Sequence, residues 1–391
     1  MLVLQGPFHL GNKNITMQLR QTNLFILISA FIILSFSGIS QDDKCWTGFR
    51  ANQALTGFTN VQLPESLKLL WTFKTGDKIK SSPVVCNGYT YIGSNDGNIY
   101  SITDDGNLNW SHSTGTSVEA PPIILDGKIY AGSLEGKIFA LDAKSGKLIW
   151  TYTTDGQIFG SSGWIDSPDK KSKWIITGSY DFYLHCVDAK TGDSIWKYEA
   201  DNFINGAPAT NNEIAIFGGC DGFLHMVGIN DGKLRDKIEI GTYIAASSAI
   251  DNNVAFFGNY DGEFYAVDLE AEKILWKYTG AGEILGSPAV SENKIVIGAR
   301  DKNVYCFNRS DGSVAWKFKT LGKVESSPVI AKEKVVVASG DGRVYILDLR
   351  TGEKIWSYEI GSPISGTPAV VKNRIIVGAE DGKVYCFGLD K

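Results

Sequence analysis

Between residue 67 and the C-terminus, short apolar and β-branched runs alternate with clusters of Gly, Pro, Asn and Asp. In the stretch that starts at Val324 the runs read "VESSPVI", "KVVVAS", "RVYILDL" and "EKIWSYEI". Each has the length and the flanking turn residues of a strand, and together they make four strands in about forty residues. Abundant glycine and tryptophan with few methionines likewise suit a β-rich chain with tight turns rather than a helical one.

The four-strand pattern repeats, and three markers count it independently. Tryptophans fall at 71, 110, 150, 196, 276, 316 and 356, with a doubled gap in which Asp236 takes the slot. Acidic turns stand at Asp96, Glu135, Asp181, Asp221, Asp261, Asp301, Asp341 and Asp381. Small-residue triplets open each unit, from "SSP" at 81 to "GTP" at 366. All three give eight units of four strands, which predicts an all-β, eight-bladed propeller. One blade cannot bury both faces of its sheet, so neighbours must stack, and repetition builds the core.

The last unit ends at "GKVYCFGLDK", a third strand with no fourth after it, and the missing strand stands at the other end as "LKLLWTFKTG". Residues 67–74 are therefore expected to complete the last blade and close the ring. An open ring would leave long unpaired edges. The expected organisation is a signal peptide over 1–40, a lead-in segment over 41–66 and the propeller over 67–391.

The leader rests on "LFILISAFIILSF" (24–36), preceded by Arg20 and followed by "SGIS". That run suits a signal-peptide core and is short for a membrane span. Cleavage is expected near Ser40–Gln41, with Met17 as an alternative start, and no span is expected in the mature chain. Cys45 follows "DDK" and not a small-residue lipobox, so no lipid anchor is expected. The reading is a secreted or periplasmic monomer. A net charge of −5, with no basic stripe, argues against nucleic acid as a partner.

Composition changes the picture only modestly. Forty-three glycines and ten tryptophans suit tight turns and large buried rings. In "DAKSG", Asp142 can cap the turn and Gly146 can take positive φ, while Trp71, Trp110, Trp150, Trp196, Trp276, Trp316 and Trp356 are expected to dock between blades. Asp236 in the tryptophan slot predicts a weaker seam beside blade four. Glycines at 93, 132, 178, 218, 258, 298 and 378 suggest close backbone approach.

Candidate chemistry is sparse. The acidic turns are better read as turn caps than as a metal ring. His185 and His225 occupy the slot filled elsewhere by Tyr100, Phe139, Tyr265, Tyr305, Tyr345 and Tyr385, and so read as members of an aromatic ladder. Cys186, Cys306 and Cys386 share one strand position in non-adjacent blades and read as core residues, and a Cys45–Cys86 pair stays open. Two sets of positions vary between units. One precedes each triplet and includes Lys80, Glu119, Asn205 and Glu325. The other precedes each acidic turn and includes Tyr180, Tyr260 and Arg300. Strand order puts both on one face, with Tyr180, Tyr260 and Arg300 across the ring from the charged group. These seven residues form a candidate interaction face.

The motif Ala-x-Asp-x-x-Thr-Gly-x-x-x-Trp, here at Ala140, Asp142, Ser145, Gly146 and Trp150 and again from Asp188 and Asp348, resembles the docking repeat of pyrroloquinoline quinone (PQQ) propellers. The leader "CWTGFRANQALTG" resembles the segment that often precedes them. The resemblance implies the propeller fold over residues 46–391. For function it divides, because the family holds PQQ- and calcium-dependent dehydrogenases and also non-catalytic relatives, among them the propeller subunit of the outer-membrane β-barrel assembly machinery. The dehydrogenases are longer and commonly carry an adjacent cysteine pair, and this chain has neither feature. The only lengthened blade carries six extra residues around "IDSPDKKSKW" (165–174), opposite the acidic turns. The expectation is a non-catalytic scaffold without cofactor whose partner is a protein, on the family likeness envelope-assembly machinery. The alternatives are a small PQQ-dependent dehydrogenase using Glu119, Asn205 or Glu325 for calcium, and a propeller that binds carbohydrate or another small ligand.

Overall fold

The computed structural model describes residues 43–389. The proposed leader and its cleavage site lie outside them. Among the described residues, no helix is long and apolar enough to cross a membrane.

Eight antiparallel sheets follow one another in chain order, each running from an inner to an outer strand. Blade one is typical, with Val84–Cys86, Tyr89–Gly93, Asn98–Thr103 and Leu108–Ser113. The inner strand of blade eight, Ala369–Val371, lies against that of blade one and closes the circle. Middle strands are buried on both sides, as in "KVVVA" (Lys334–Ala338). Outer strands alternate, as in "SIWKYE" (Ser194–Glu199), because they border solvent.

Closure follows the sequence reading. Lys68–Lys74 pairs antiparallel with Lys383–Gly388 and supplies the outer strand of blade eight. One strand was not anticipated. Phe58–Thr59 pairs parallel with the inner strand of blade seven at Ile330 and Ala331, making that blade five-stranded.

The tryptophans dock as their spacing implies. Six indole N–H groups donate to a carbonyl in the next blade: Trp71 to Asp104, Trp110 to Ala143, Trp150 to Ala189, Trp196 to Ile229, Trp276 to Arg309 and Trp316 to Leu349, at 2.9–3.2 Å. Each ring lies flat on the positive-φ glycine of the neighbouring turn. A Cβ on Gly146 would stand 2.6 Å from the Trp110 ring. This accounts for two departures at once. Blade four carries Asp236 where its ring should be, and the facing turn in blade five carries Glu272 where its glycine should be, at φ 53°. With no ring to accommodate, the glycine is not needed. Glu272 instead meets Asp236, and the hydrogen bond between the two carboxyls, with the Asp236 charge, raises the Glu272 pKa.

Two other expectations are refined. The glycines at 93, 132, 178, 218, 258, 298 and 378 admit a neighbour's β-branched side chain rather than backbone alone. Ile158, Ile204, Ile244, Ile284 and Ile79 fill five of these spaces, and valines fill the others. The small triplets do face backbone. A Cβ on Gly366 would sit 2.6 Å from the Ser81 carbonyl oxygen. Cys186, Cys306 and Cys386 are buried free thiols, and Cys45 is disulfide-bonded to Cys86.

Candidate functional site: two mouths of one channel

Strand direction defines two faces. At one face the chain turns from first to second strands and from third to fourth. At the other lie the acidic turns and the crossings between blades.

The first face is closed by the lead-in. Its carbonyls accept hydrogen bonds from inner-strand N–H groups around the ring: Asp43 from Lys372, Thr47 from Ile124, Gln53 from Thr210, Ala54 from Ile250, Thr56 from Val290 and Gly57 from Ile330, at 2.7–2.9 Å. Trp46 and Val85 bond each other in both directions. The disulfide from Cys45 to Cys86 pins the same end. From this strap Arg50 turns into the channel, fully buried, and donates to the carbonyl oxygens of Pro328 at 2.5 Å and Pro288 at 2.6 Å. Burial lowers its pKa to about 9. Gly57, at positive φ, leaves the space that the guanidinium occupies.

The second mouth is open. Above Phe49, the floor of the channel, lies a cavity of about 220 Å³. Its rim includes Lys80, Glu119, Phe159, Asn205, Leu285 and Glu325. The acidic turns around it are stiffened from below. In the four blades with Tyr100, Tyr305, Tyr345 and Tyr385, the hydroxyl donates to the turn aspartate four residues earlier. His185 and His225 make the same contact to Asp181 and Asp221, at 3.0 and 2.8 Å. The slot read as an aromatic ladder is thus a ladder of ring hydrogen bonds to the turns. Burial alone would raise the Asp181 carboxyl, but the bond and charge of His185 with two backbone N–H groups hold it at about 2. The acidic residues act as turn caps, as read: Asp96, Asp181, Asp221, Asp301, Asp341 and Asp381 each accept the N–H two residues on.

Each blade presents three equivalent positions at this mouth. The third is tied in every blade, because the residue before the acidic turn donates its N–H to the carbonyl of the first position, as Cys220 does to Phe203 and Tyr260 to Tyr243. With this frame constant, the side chains sort into two arcs. Over blades six, seven, eight, one and two they are mostly charged. Lys80 pairs with Glu119 at 3.0 Å, and Asn95 donates to the same carboxylate at 2.7 Å. Arg300 pairs with Glu325 at 2.6 Å. Arg300 therefore belongs with the charged group and not across the ring from it, because blade six adjoins blade seven. Over blades three to five the arc is aromatic. Tyr180 stacks on Phe203 at 4.5 Å between centroids, with Phe159 at 4.7 Å on Tyr180 and Phe182 at 5.1 Å on Phe203. Tyr243 and Tyr260 form a second pair at 6.5 Å. The Tyr180 hydroxyl bonds Asn205, which also donates to the Cys220 sulfur.

Of the seven candidate residues, Lys80, Glu119, Glu325 and Arg300 lie in the charged arc, and Tyr180, Tyr260 and Asn205 in the aromatic one. Phe203 and Tyr243 were missed, although both stand two residues before positions that were compared. Phe182, which replaces the glycine that follows six of the eight acidic turns, is part of the same cluster.

A family model described as outer membrane protein assembly factor BamB matches residues 61–164 and 221–391. The chain belongs to this family of PQQ-like repeat propellers. The unmatched stretch between the two pieces holds the lengthened turn of blade three and Tyr180, Phe182 and Phe203. Among solved structures, BamB from Moraxella catarrhalis superposes with a TM-score of 0.70 at 17% identity, over 83% of this chain and 100% of its own. Quinohemoprotein alcohol dehydrogenase from Comamonas testosteroni superposes at 0.76 with 13% identity, over 90% and 82%. A europium-containing methanol dehydrogenase gives 0.73 at 14%, over 90% and 99%. No individually curated protein matches the chain. At such identities the superpositions carry the architecture and nothing of the chemistry.

Proposed function

We propose that the protein is a non-catalytic, periplasmic or secreted scaffold whose open mouth binds a protein partner in outer-membrane protein assembly. The observation that carries this reading is the contrast at that mouth between an invariant backbone frame and side chains that differ in every blade. A rigid ring presenting varied side chains binds with little ordering cost. Family membership supports the setting, since the matching model is named for outer membrane protein assembly.

The alternative, a PQQ- and calcium-dependent dehydrogenase, finds a poor fit in these residues. Calcium takes six to eight oxygen ligands, whereas Glu119 and Glu325 are engaged by Lys80 and Arg300, and Asn205 by Tyr180. Among the described residues, no group of three or more His, Cys, Asp or Glu side chains is gathered to hold a metal. The cavity of about 220 Å³ is also below the size range of typical ligand pockets. Calorimetric titration with PQQ, with and without calcium, tests the choice. Stoichiometric calcium-dependent binding would overturn the scaffold reading. Its expected counterpart is no heat from PQQ, together with site-specific cross-links to protein from the open mouth in intact envelopes.

A further inference from the structure

The aromatic arc is more specific than a generic contact surface. In the turn slot where six blades have glycine, blade three has Phe182 at φ 75°. Lys302 takes the same slot in blade six at φ 70°, but an aromatic ring is more strongly disfavoured in that conformation, and such outliers cluster at functional sites. Phe182 does not earn its place by burial, since it is 39% exposed, as are Phe203 at 38%, Tyr260 at 41% and Tyr243 at 55%. Neighbouring exposed rings of this kind offer π-faces and edges to a ligand.

Their immediate surroundings lean acidic, with Arg300, the cation beside Tyr260, held by Glu325. The three mouth positions of blades three, four and five contain no lysine or arginine. Exposed carboxylates stand in the same loops, at Asp155, Asp201 and Asp261. Asp201 is paired with Lys237, a residue of the outer strand. Aromatic faces beside carboxylates attract a cation that can lose part of its hydration, and the planar guanidinium does so more readily than ammonium because it stacks.

We infer that the arc formed by Tyr180, Phe182, Phe203, Tyr243 and Tyr260 docks an arginine-bearing, otherwise apolar segment of the partner protein. This rests on the scaffold reading and names the chemistry its partner brings. The guanidinium stacks on the rings, the carboxylates set its sign, and apolar neighbours cover the remaining ring surface.

The test is fluorescence anisotropy on the purified protein with a short labelled peptide alternating leucine and arginine. Its lysine and glutamate counterparts and an uncharged oligosaccharide, cellohexaose, serve as competitors. The arginine peptide is expected to bind, the lysine peptide several-fold more weakly, and the glutamate peptide and the sugar not to compete. Phe203→Ala should weaken binding about tenfold, in the range of an interface hot spot, and Lys190→Ala, at an exposed turn of blade three on the closed face, should leave it unchanged. Phe182→Gly keeps the test independent of folding, because it restores the repeat's own residue. It should melt no lower than the parent protein and still bind more weakly. Equal binding of the arginine and glutamate peptides, competition by the sugar, or indifference to both ring substitutions would overturn the inference. A photo-cross-linker at Phe203 and another at Lys323 separate this failure from that of the scaffold reading. Cross-links only from Lys323 would leave the scaffold standing without the arginine dock, and none from either site would remove both.

Discussion

The two mouths of the channel are built by opposite means. At the closed mouth a strap lays its carbonyls against the N–H groups of almost every blade, and Arg50, the Cys45–Cys86 disulfide and the Lys372–Asp43 ion pair add side-chain chemistry. At the open mouth backbone bonds run within each blade and from each blade to the one before it, as from the Ile204 N–H to the Ser179 carbonyl, and the side chains differ all the way round. The strap's own chain covers the closed end, whereas at the open end main-chain bonds do the holding and leave the side chains free to vary. Substitutions at the two ends should therefore differ in kind, with stability failing at one and binding at the other.

The largest expected effect comes from removing residues 41–75, which takes away the strap, the disulfide and the outer strand of blade eight. Soluble, cooperatively folding protein should be lost, as a size-exclusion profile and a thermal melt would reveal. Replacing Tyr180, Phe203 and Tyr243 together by serine should leave the fold intact. A normal melt from the truncated chain would end the distinction between the mouths.

Next in size is the disulfide. Replacing Cys45 and Cys86 by serine opens a loop of 41 residues and should lower the unfolding free energy by about 2–4 kcal/mol. An unchanged urea midpoint would mean that backbone bonds alone hold the strap. Arg50→Ala leaves two channel carbonyls without their donor and a void behind them, for a loss of about 2–3 kcal/mol. Lys80→Ala, at a solvated ion pair on the open rim, should stay within about 0.5 kcal/mol. Equal effects from these two substitutions would erase the asymmetry.

How much of this was legible depends on whether side chains or main chain do the work. The blades, the docking rings and the closing strand each need a particular side chain at a fixed interval, so they could be counted. The strap could not. Its bonds come from the carbonyls of Thr47, Gln53, Ala54, Thr56 and Gly57, and any residue supplies a carbonyl. Arg50 stood inside a recognisable segment, but a buried guanidinium facing two proline carbonyls has no signature in one sequence. The aromatic arc was half legible. Tyr180 and Tyr260 adjoin a marker and were compared across blades, while Phe203 and Tyr243 sit one strand-step from any marker. The loss of the Trp–Gly pair at Asp236 and Glu272 was visible as two separate irregularities, and the docking geometry makes them one.

The most local effect concerns the turns beneath the open rim, where varied side chains still rest on a stiff base. The Asp181 carboxyl sits at about 2 in the folded protein, against 3.8 ordinarily. Its folded value is depressed, so its contribution is complete above about pH 4 and is lost as pH falls toward 2. Unscreened, that gap corresponds to about 2 kcal/mol, and solvent around the half-buried turn reduces it to about 1 kcal/mol. Asp221, held by His225, is shifted in the same direction. Urea unfolding followed from pH 5 down to pH 2.5 should therefore show falling stability, and His185→Tyr should flatten part of the slope by exchanging an ionisable donor for the neutral hydroxyl that other blades use. A parent protein as stable at pH 2.5 as at pH 5 would show that these buried ring contacts add nothing. The open mouth would then owe its rigidity to the main-chain bonds within and between its blades.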